Sequence, residues 1–376
     1  MALVRVRALS HIGMIRTTRH EGPTDTMTQT SSRHPRPGAT LEEVALAAGV
    51  SRATVSRVVN GSPKVSQDVR RNVEREIARL GYVPNRAARS LVTRRSDSVG
   101  VVITEPTTRL FVDPFFPRLL RGISGELGAR DRQLVLLMPE TARDATRAEA
   151  FLSGGHVDGV LLVSLHGDNP LPTRLTGRGI PIVVGGRPLR GAAVSFVDID
   201  NRGGARAAVA HLAGNGRRVI ATIAGPTDMG AGIDRLAGYR DGLEEAGLPA
   251  GRDLESVADF SHDGGLQAMR SLLTERPDID AVFVASDLMA AGALQALRDA
   301  GRRIPDDVAV VGFDDSPLAA TTQPPLSSVR QPIEEMGREM VRLLVEAIER
   351  SDPVPRHVVL GTELVRRASS TGGGAA

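Results

Sequence analysis

The 376-residue chain has no cysteine and no tryptophan, only two tyrosines, and 3% aromatic residues in all. Without cysteine there can be no disulfide framework, thiol nucleophile, zinc ribbon or iron–sulfur cluster, and the chain suits a reducing cytoplasm. No apolar run approaches the roughly 18 residues of a membrane span; the longest, such as 281–285, have the length of buried strands. Lys64 is the sole lysine and lies in no Gly-x-x-x-x-Gly-Lys loop. Gly230-Ala231-Gly232 is followed by Arg235 where a dinucleotide fingerprint needs its third glycine. No serine lies within Gly-x-Ser-x-Gly, and no His/Asp/Glu set has metal-ligand spacing. The expectation is a chain with no catalytic residue, no metal, no cofactor and no membrane span.

Charge is unevenly distributed. Residues 36–95 carry 12 basic and 5 acidic side chains, residues 1–35 carry 5 and 2, and residues 96–376 carry 30 and 37. A basic block on an acidic body is the footprint expected when one part meets phosphate. Charge alone fits a solvated basic face equally well, so motifs must decide.

Residues 1–37 mix Arg, Thr, Ser, His and Pro without period and read as a disordered extension; the mildly apolar first fifteen residues make a poor signal peptide. Met27 lies close to the first expected helix, so both Met1 and Met27 stand open as the start of translation. From Thr40 the texture changes. Thr40-Leu41-Glu42-Glu43 forms a capping box, and Leu41, Val44, Ala45 and Ala48 recur at helical spacing. Gly49-Val50 break that helix, Ser51 caps a second with Val55, Val58 and Val59 on one face, and Asn60-Gly61 end it. A third runs from a Ser66 cap through Val69, Val73, Ile77 and Leu80 to Gly81. Three helices are the minimum for so small a head to bury a core.

Beyond residue 97, apolar β-branched runs at 99–103, 134–138, 157–163, 180–184, 219–224, 281–285 and 308–313 alternate with amphipathic stretches. This is the pattern of doubly wound parallel sheets. Some 270 residues exceed one such sheet, so two tandem sheets with a cleft between them are expected.

In a helix-turn-helix the second helix enters the major groove. Here Arg52, Ala53 and Arg57 fall off the valine face and point outward; Arg57 can grip a guanine bidentately and Ala53 can meet a thymine methyl. An exposed arginine on an ordinary helical hairpin has the same spacing. The wording of the segment is more specific. Ala39-Thr40-Leu41-Glu42-Glu43-Val44-Ala45, Gly49-Val50-Ser51, Thr54-Val55-Ser56-Arg57-Val58-Val59-Asn60, Leu80-Gly81-Tyr82-Val83-Pro84-Asn85 and Ala87-Ala88-Arg89-Ser90-Leu91 resemble the head of the lac repressor (LacI/GalR) family. The resemblance extends to about residue 367.

That resemblance implies base contacts from Arg52, Ala53 and Arg57, and phosphate contacts from Ser51, Ser56, Asn60, Tyr82 and Asn85. It also implies a hinge helix that forms on the operator, with Leu91 wedged beside Ala88 in the minor groove. For the body it implies a fold similar to periplasmic binding proteins, with an effector between two subdomains. Phe115, in Phe111-Val112-Asp113-Pro114-Phe115-Phe116, flanks the ligand; Arg235, in Asp234-Arg235-Leu236-Ala237-Gly238-Tyr239, donates to it; Asp314, in Val311-Gly312-Phe313-Asp314-Asp315, accepts from it. Arg235 and Asp314 could instead form an intramolecular pair. Two departures alter the cleft: Ser286-Asp287 replaces the frequent Asn-Asp, and Gly186 stands where an aspartate commonly precedes Arg-Pro.

The expected architecture is an all-α helix-turn-helix head (38–84), a hinge helix and linker (85–96), and an α/β body of two doubly wound parallel-sheet subdomains (97–370) with a flexible tail (371–376). The first subdomain is expected at 97–198 and 329–356, the second at 199–328 and 357–370. The tail lacks heptad leucines, so a homodimer is expected. The function implied is sequence-specific regulation of transcription, with repression the expected outcome, on palindromic double-stranded operator DNA under a sugar or sugar phosphate effector. The rivals are an exported solute-binding protein and a sugar-modifying enzyme; the first needs an export signal, the second turnover.

Overall fold

The computed structural model describes residues 39–59, 61–83, 95–189, 193–350 and 354–371. It divides into two units, with the boundary after Asn85.

The first unit holds α1 (Leu41–Ala48), α2 (Arg52–Val59) and α3 (Gln67–Leu80). The capping box at Thr40 is complete: its hydroxyl accepts from Glu43 N, and the Glu43 carboxylate accepts from Thr40 N. Gly49, at φ +64°, adopts the left-handed conformation that reverses the chain into α2. Ser51 Oγ accepts from Thr54 N and opens that helix. Ser66 takes the N-cap position of α3, but its side chain makes no cap bond, contrary to expectation. The start of α3 is tied instead by Arg70, whose Nη2 donates to Ser62 O at 2.6 Å, and by Asn72, whose Nδ2 donates to Ala48 O at 2.8 Å.

Val44, Ala45, Ala48, Val55, Val58 and Val73 form the buried core of this unit. So few side chains leave a thin margin of stability. Thr40→Ala is therefore expected to cost about 0.5–2 kcal/mol. Amide exchange in α1 of the intact protein reads the effect; unchanged protection there would show that the cap holds nothing.

Among the described residues the second unit holds twelve strands: β1 (Ser98–Ile103), β2 (Gln133–Leu137), β3 (Gly159–Val163), β4 (Ile182–Gly185), β5 (Ser195–Ile199), β6 (Ile220–Ala224), β7 (Glu255–Val257), β8 (Ala281–Val284), β9 (Ala309–Asp314), β10 (Ser327–Arg330), β11 (His357–Leu360) and β12 (Glu363–Val365). They form two six-stranded sheets, ordered β11-β5-β4-β3-β1-β2 and β12-β10-β9-β8-β6-β7. Every pairing is parallel except β10 with β12. β1, β3, β6, β8 and β9 are buried along their whole length, which is why they read as continuous apolar runs.

The chain passes between the sheets three times. β5 leads into helix Asn201–Gly214, which packs on the second sheet; β10 leads into helix Ile333–Glu349, which packs on the first. The third passage, from β11 to β12, takes only Gly361 and Thr362. The expected subdomain boundaries therefore need correction. Residues 357–360 belong to the first sheet, paired with β5, and β10 places residues 329–330 in the second. A single glycine between two short strands marks a turn but not a change of sheet.

Candidate functional site

A cavity of about 370 Å³ lies where the C-terminal ends of strands from both sheets converge, the usual ligand position in open α/β folds. Phe115, Arg235, Ser286 and Asp314 all line it. Arg235, on helix Gly230–Glu245, is buried. Its Nε donates to Asn201 Oδ1 at 2.8 Å and its Nη1 to Ala285 O at 2.6 Å. Its guanidinium lies 3.7 Å from the centre of the Phe313 ring, and Nη1 stands 3.6 Å from Asp314 Oδ1. The intramolecular pair is thus present, and both members face the cavity.

Three more polar groups come from strand ends and the segments after them. Asp113 accepts from Phe115 N at 3.0 Å. Asp198, in β5, accepts from Ile199 N and Asn201 Nδ2 at 2.8 and 3.1 Å. Gln331, after β10, donates through Nε2 to Asp314. Burial pushes the carboxyls of Asp113 and Asp198 up from the usual range. It pushes Asp314 well up, against the pull of Arg235. A further anion in this space would add to an existing electrostatic cost.

Phe260, facing the cavity from the second subdomain, sits 4.8 Å under the Arg109 guanidinium of the first. Ser164, Phe260 and Asp314 hold positive φ values of +59°, +64° and +109°. Such non-glycine conformations cost about 1–3 kcal/mol each and cluster at binding sites. Ser286 caps helix Asp287–Asp299, accepting from Met289 N at 3.2 Å, which leaves its hydroxyl proton to donate. Gly186 lies at φ +90°, where a side chain is disfavoured. Asp198, whose carboxylate accepts from Arg187 N at 3.2 Å, supplies the acid missing there.

In the first unit, Arg52, Ala53 and Arg57 are exposed on α2 while Val55 and Val58 are buried. Arg52 Nε pairs with Glu42 Oε1 of α1 at 2.8 Å, both side chains being solvated. Ser51 is exposed, Ser56 half-buried, and Tyr82 packs partly against the core. Asn60, Asn85, Ala88 and Leu91 lie outside the described residues.

Two family models match the chain: "Bacterial regulatory proteins, lacI family" over residues 40–85 and "Periplasmic binding protein-like domain" over 209–370. The transcriptional regulator CelR of Thermobifida fusca is 53% identical over 332 residues, covering 88% of this chain and 98% of that protein. The ribose operon repressor of Escherichia coli K12 is 34% identical over 337 residues, covering 88% of this chain and 100% of that protein. Among solved structures, the CelR–cellobiose complex matches with a TM-score of 0.72 and 50% identity, over 88% of this chain and 99% of that one. The lac repressor dimer bound to operator and the anti-inducer ONPF matches with a TM-score of 0.78 and 28% identity, over 89% and 99%. The chain belongs to the lacI family.

As a lacI-family protein it is a DNA-binding regulator of transcription and not an enzyme. Among its described residues no helix is long and apolar enough to cross a membrane. The resemblance to lacI-family segments points to Phe115, Arg235, Ser286 and Asp314, but not to Arg109, Asp113, Asp198, Asn201, Phe260 and Gln331, which line the same cavity. Each follows or ends a strand, and that position is the signal that could have found them.

Proposed function

We propose that this lacI-family chain is a cytoplasmic homodimeric repressor that holds a palindromic operator and answers to a neutral glucose-type disaccharide, with cellobiose the first ligand to test. The lining of the cavity carries this reading. Buried Asp113, Asp198 and Asp314 accept hydrogen bonds, Arg235 and Ser286 donate them, and Phe115 and Phe260 add apolar lining. Three buried carboxylates disfavour a phosphate group, so a neutral sugar fits better than a sugar phosphate. The volume of about 370 Å³ stands near the lower end of small-molecule pockets, ~300–1,000 Å³. CelR, half identical to this chain, is the protein of the cellobiose complex.

On DNA, Arg52, Ala53 and Arg57 meet base edges, and Ser51, Ser56, Asn60, Tyr82 and Asn85 meet phosphates. Leu91 enters the minor groove beside Ala88. The sugar acts through its differential affinity for the DNA-competent and DNA-incompetent dimers. Selection from randomised DNA, repeated over several salt concentrations with and without cellobiose, tests the whole reading. A palindromic consensus whose affinity falls steeply with salt is expected; no enrichment under either condition would overturn it. Calorimetry with cellobiose and glucose 6-phosphate separates the ligand classes, binding of the phosphate alone being the adverse result.

A further inference from the structure

All three passages between subdomains leave strands at one end of each sheet. β5 and β11 stand at one end of the first sheet, β10 and β12 at one end of the second. β1 and β3 in the first sheet and β6 in the second lie away from those ends. Contacts between the segments that follow these strands must part whenever the two subdomains swing open about the passages. One of them contains a histidine.

His166, after β3, has both ring nitrogens engaged. Nε2 lies 3.0 Å from Glu105 Oε1 of its own subdomain, and Nδ1 lies 3.0 Å from Asp228 Oδ2 of the other. Beside them Gly167 N donates to Asp228 O at 2.8 Å. Glu105 is fixed: Arg109 Nη1 and Ser164 Oγ donate to it at 2.6 and 2.8 Å, and its side chain is 4% exposed. A neutral imidazole has one N–H and can donate to one carboxylate; the other nitrogen would turn its lone pair toward the second. Only the imidazolium satisfies both.

We propose that His166 is a positioning residue for effector binding: in its protonated form it clasps Asp228 across the cleft and holds the ligand-binding closure. This rests on the proposed sugar effector of the cavity beside it. The charged groups facing the ring are Glu105 and Asp228, with Arg109 behind Glu105. The hydrogen bond to Glu105 raises the imidazole above its usual range against its partial burial, and Asp228 adds to this. Opening removes only Asp228, so His166 holds its proton more tightly in the closed form. Closure is therefore favoured below the open-state pKa of His166, and the advantage is lost as pH rises through the higher closed-state value.

The test is calorimetric titration of the full-length protein with cellobiose from pH 6 to pH 8.5, for the wild type, Asp228→Asn and His166→Gln. Wild-type affinity is expected to fall about two- to fivefold over that range, equivalent to ~0.4–1 kcal/mol for a half-exposed ion pair. Both variants are expected to lose that component, read as the difference between their pH profiles and that of the wild type. Asp228→Asn is informative on its own, because it leaves the anchored Glu105–His166 pair intact. Binding with the same pH profile in all three proteins would overturn the clasp and leave the effector reading standing. No binding at any pH would overturn the effector reading and the clasp with it.

Discussion

Arg235→Ala is expected to abolish the response to cellobiose while operator affinity without sugar stays within a few-fold of wild type. Arg235 and Asp314 form a buried charge pair at 3.6 Å, with the arginine hydrogen-bonded to Asn201 and Ala285, and truncating one member of such a pair costs about 2–5 kcal/mol, or roughly thirtyfold and more in affinity. Part of that cost falls on the protein itself, because Asp314 keeps its burial and loses its cation. Arg235→Lys is the control. It keeps the charge, so Asp314 stays partnered, but it loses the fork that reaches Asn201 and Ala285 together. Calorimetry with cellobiose and fluorescence anisotropy on a selected operator read the two functions separately. Loss of both in both variants would assign the pair to structure alone. Asp314→Asn is expected to be milder than Asp314→Ala, since asparagine keeps the shape of the side chain and an oxygen that can accept from Gln331 Nε2.

The second large effect is expected at the head. Arg57→Ala removes an exposed guanidinium from α2 and no packing, because the buried face of that helix is made by Val55 and Val58. Stability should change little, whereas operator affinity should fall by about 1–3 kcal/mol, the worth of a bidentate contact to guanine. Base preference should relax at one pair of symmetric positions and hold elsewhere. A uniform loss across all sequences, with a shallower salt dependence, would make Arg57 a phosphate contact.

The parts of the fold that were legible and those that were not differ in a physical way. β1, β3, β6, β8 and β9 were visible because both of their faces are buried by apolar side chains. β5 and β10 were not, because each carries polar residues inward and satisfies them there. Ser328 Oγ donates to Asp287 Oδ1 at 2.6 Å, and Ser327 Oγ to Arg367 O at 2.9 Å. In a sequence, such serines look like a loop. Asp287 is similar: burial raises its carboxyl to about 7, yet nothing in its neighbours along the chain announces that it is enclosed. The cavity residues named in advance sit in segments with recognisable wording. Arg109, Asp198 and Phe260 reach the same space from three unrelated elements, and no spacing along one segment links them.

The third passage between the sheets also bears on how the protein is made. β11 is an edge strand of the first sheet although it lies near the end of the chain. Just beyond it, Ser369 fastens the last described turn to the second sheet, accepting from Ser327 N and donating to Val310 O. Neither half of the body corresponds to a continuous stretch of gene. During synthesis both sheets must therefore wait, one strand short, until residues 357–365 clear the ribosome. A stop codon around position 350 would leave two unfinished sheets and an open edge on each, so early termination should yield an aggregating fragment and no operator-binding half-protein.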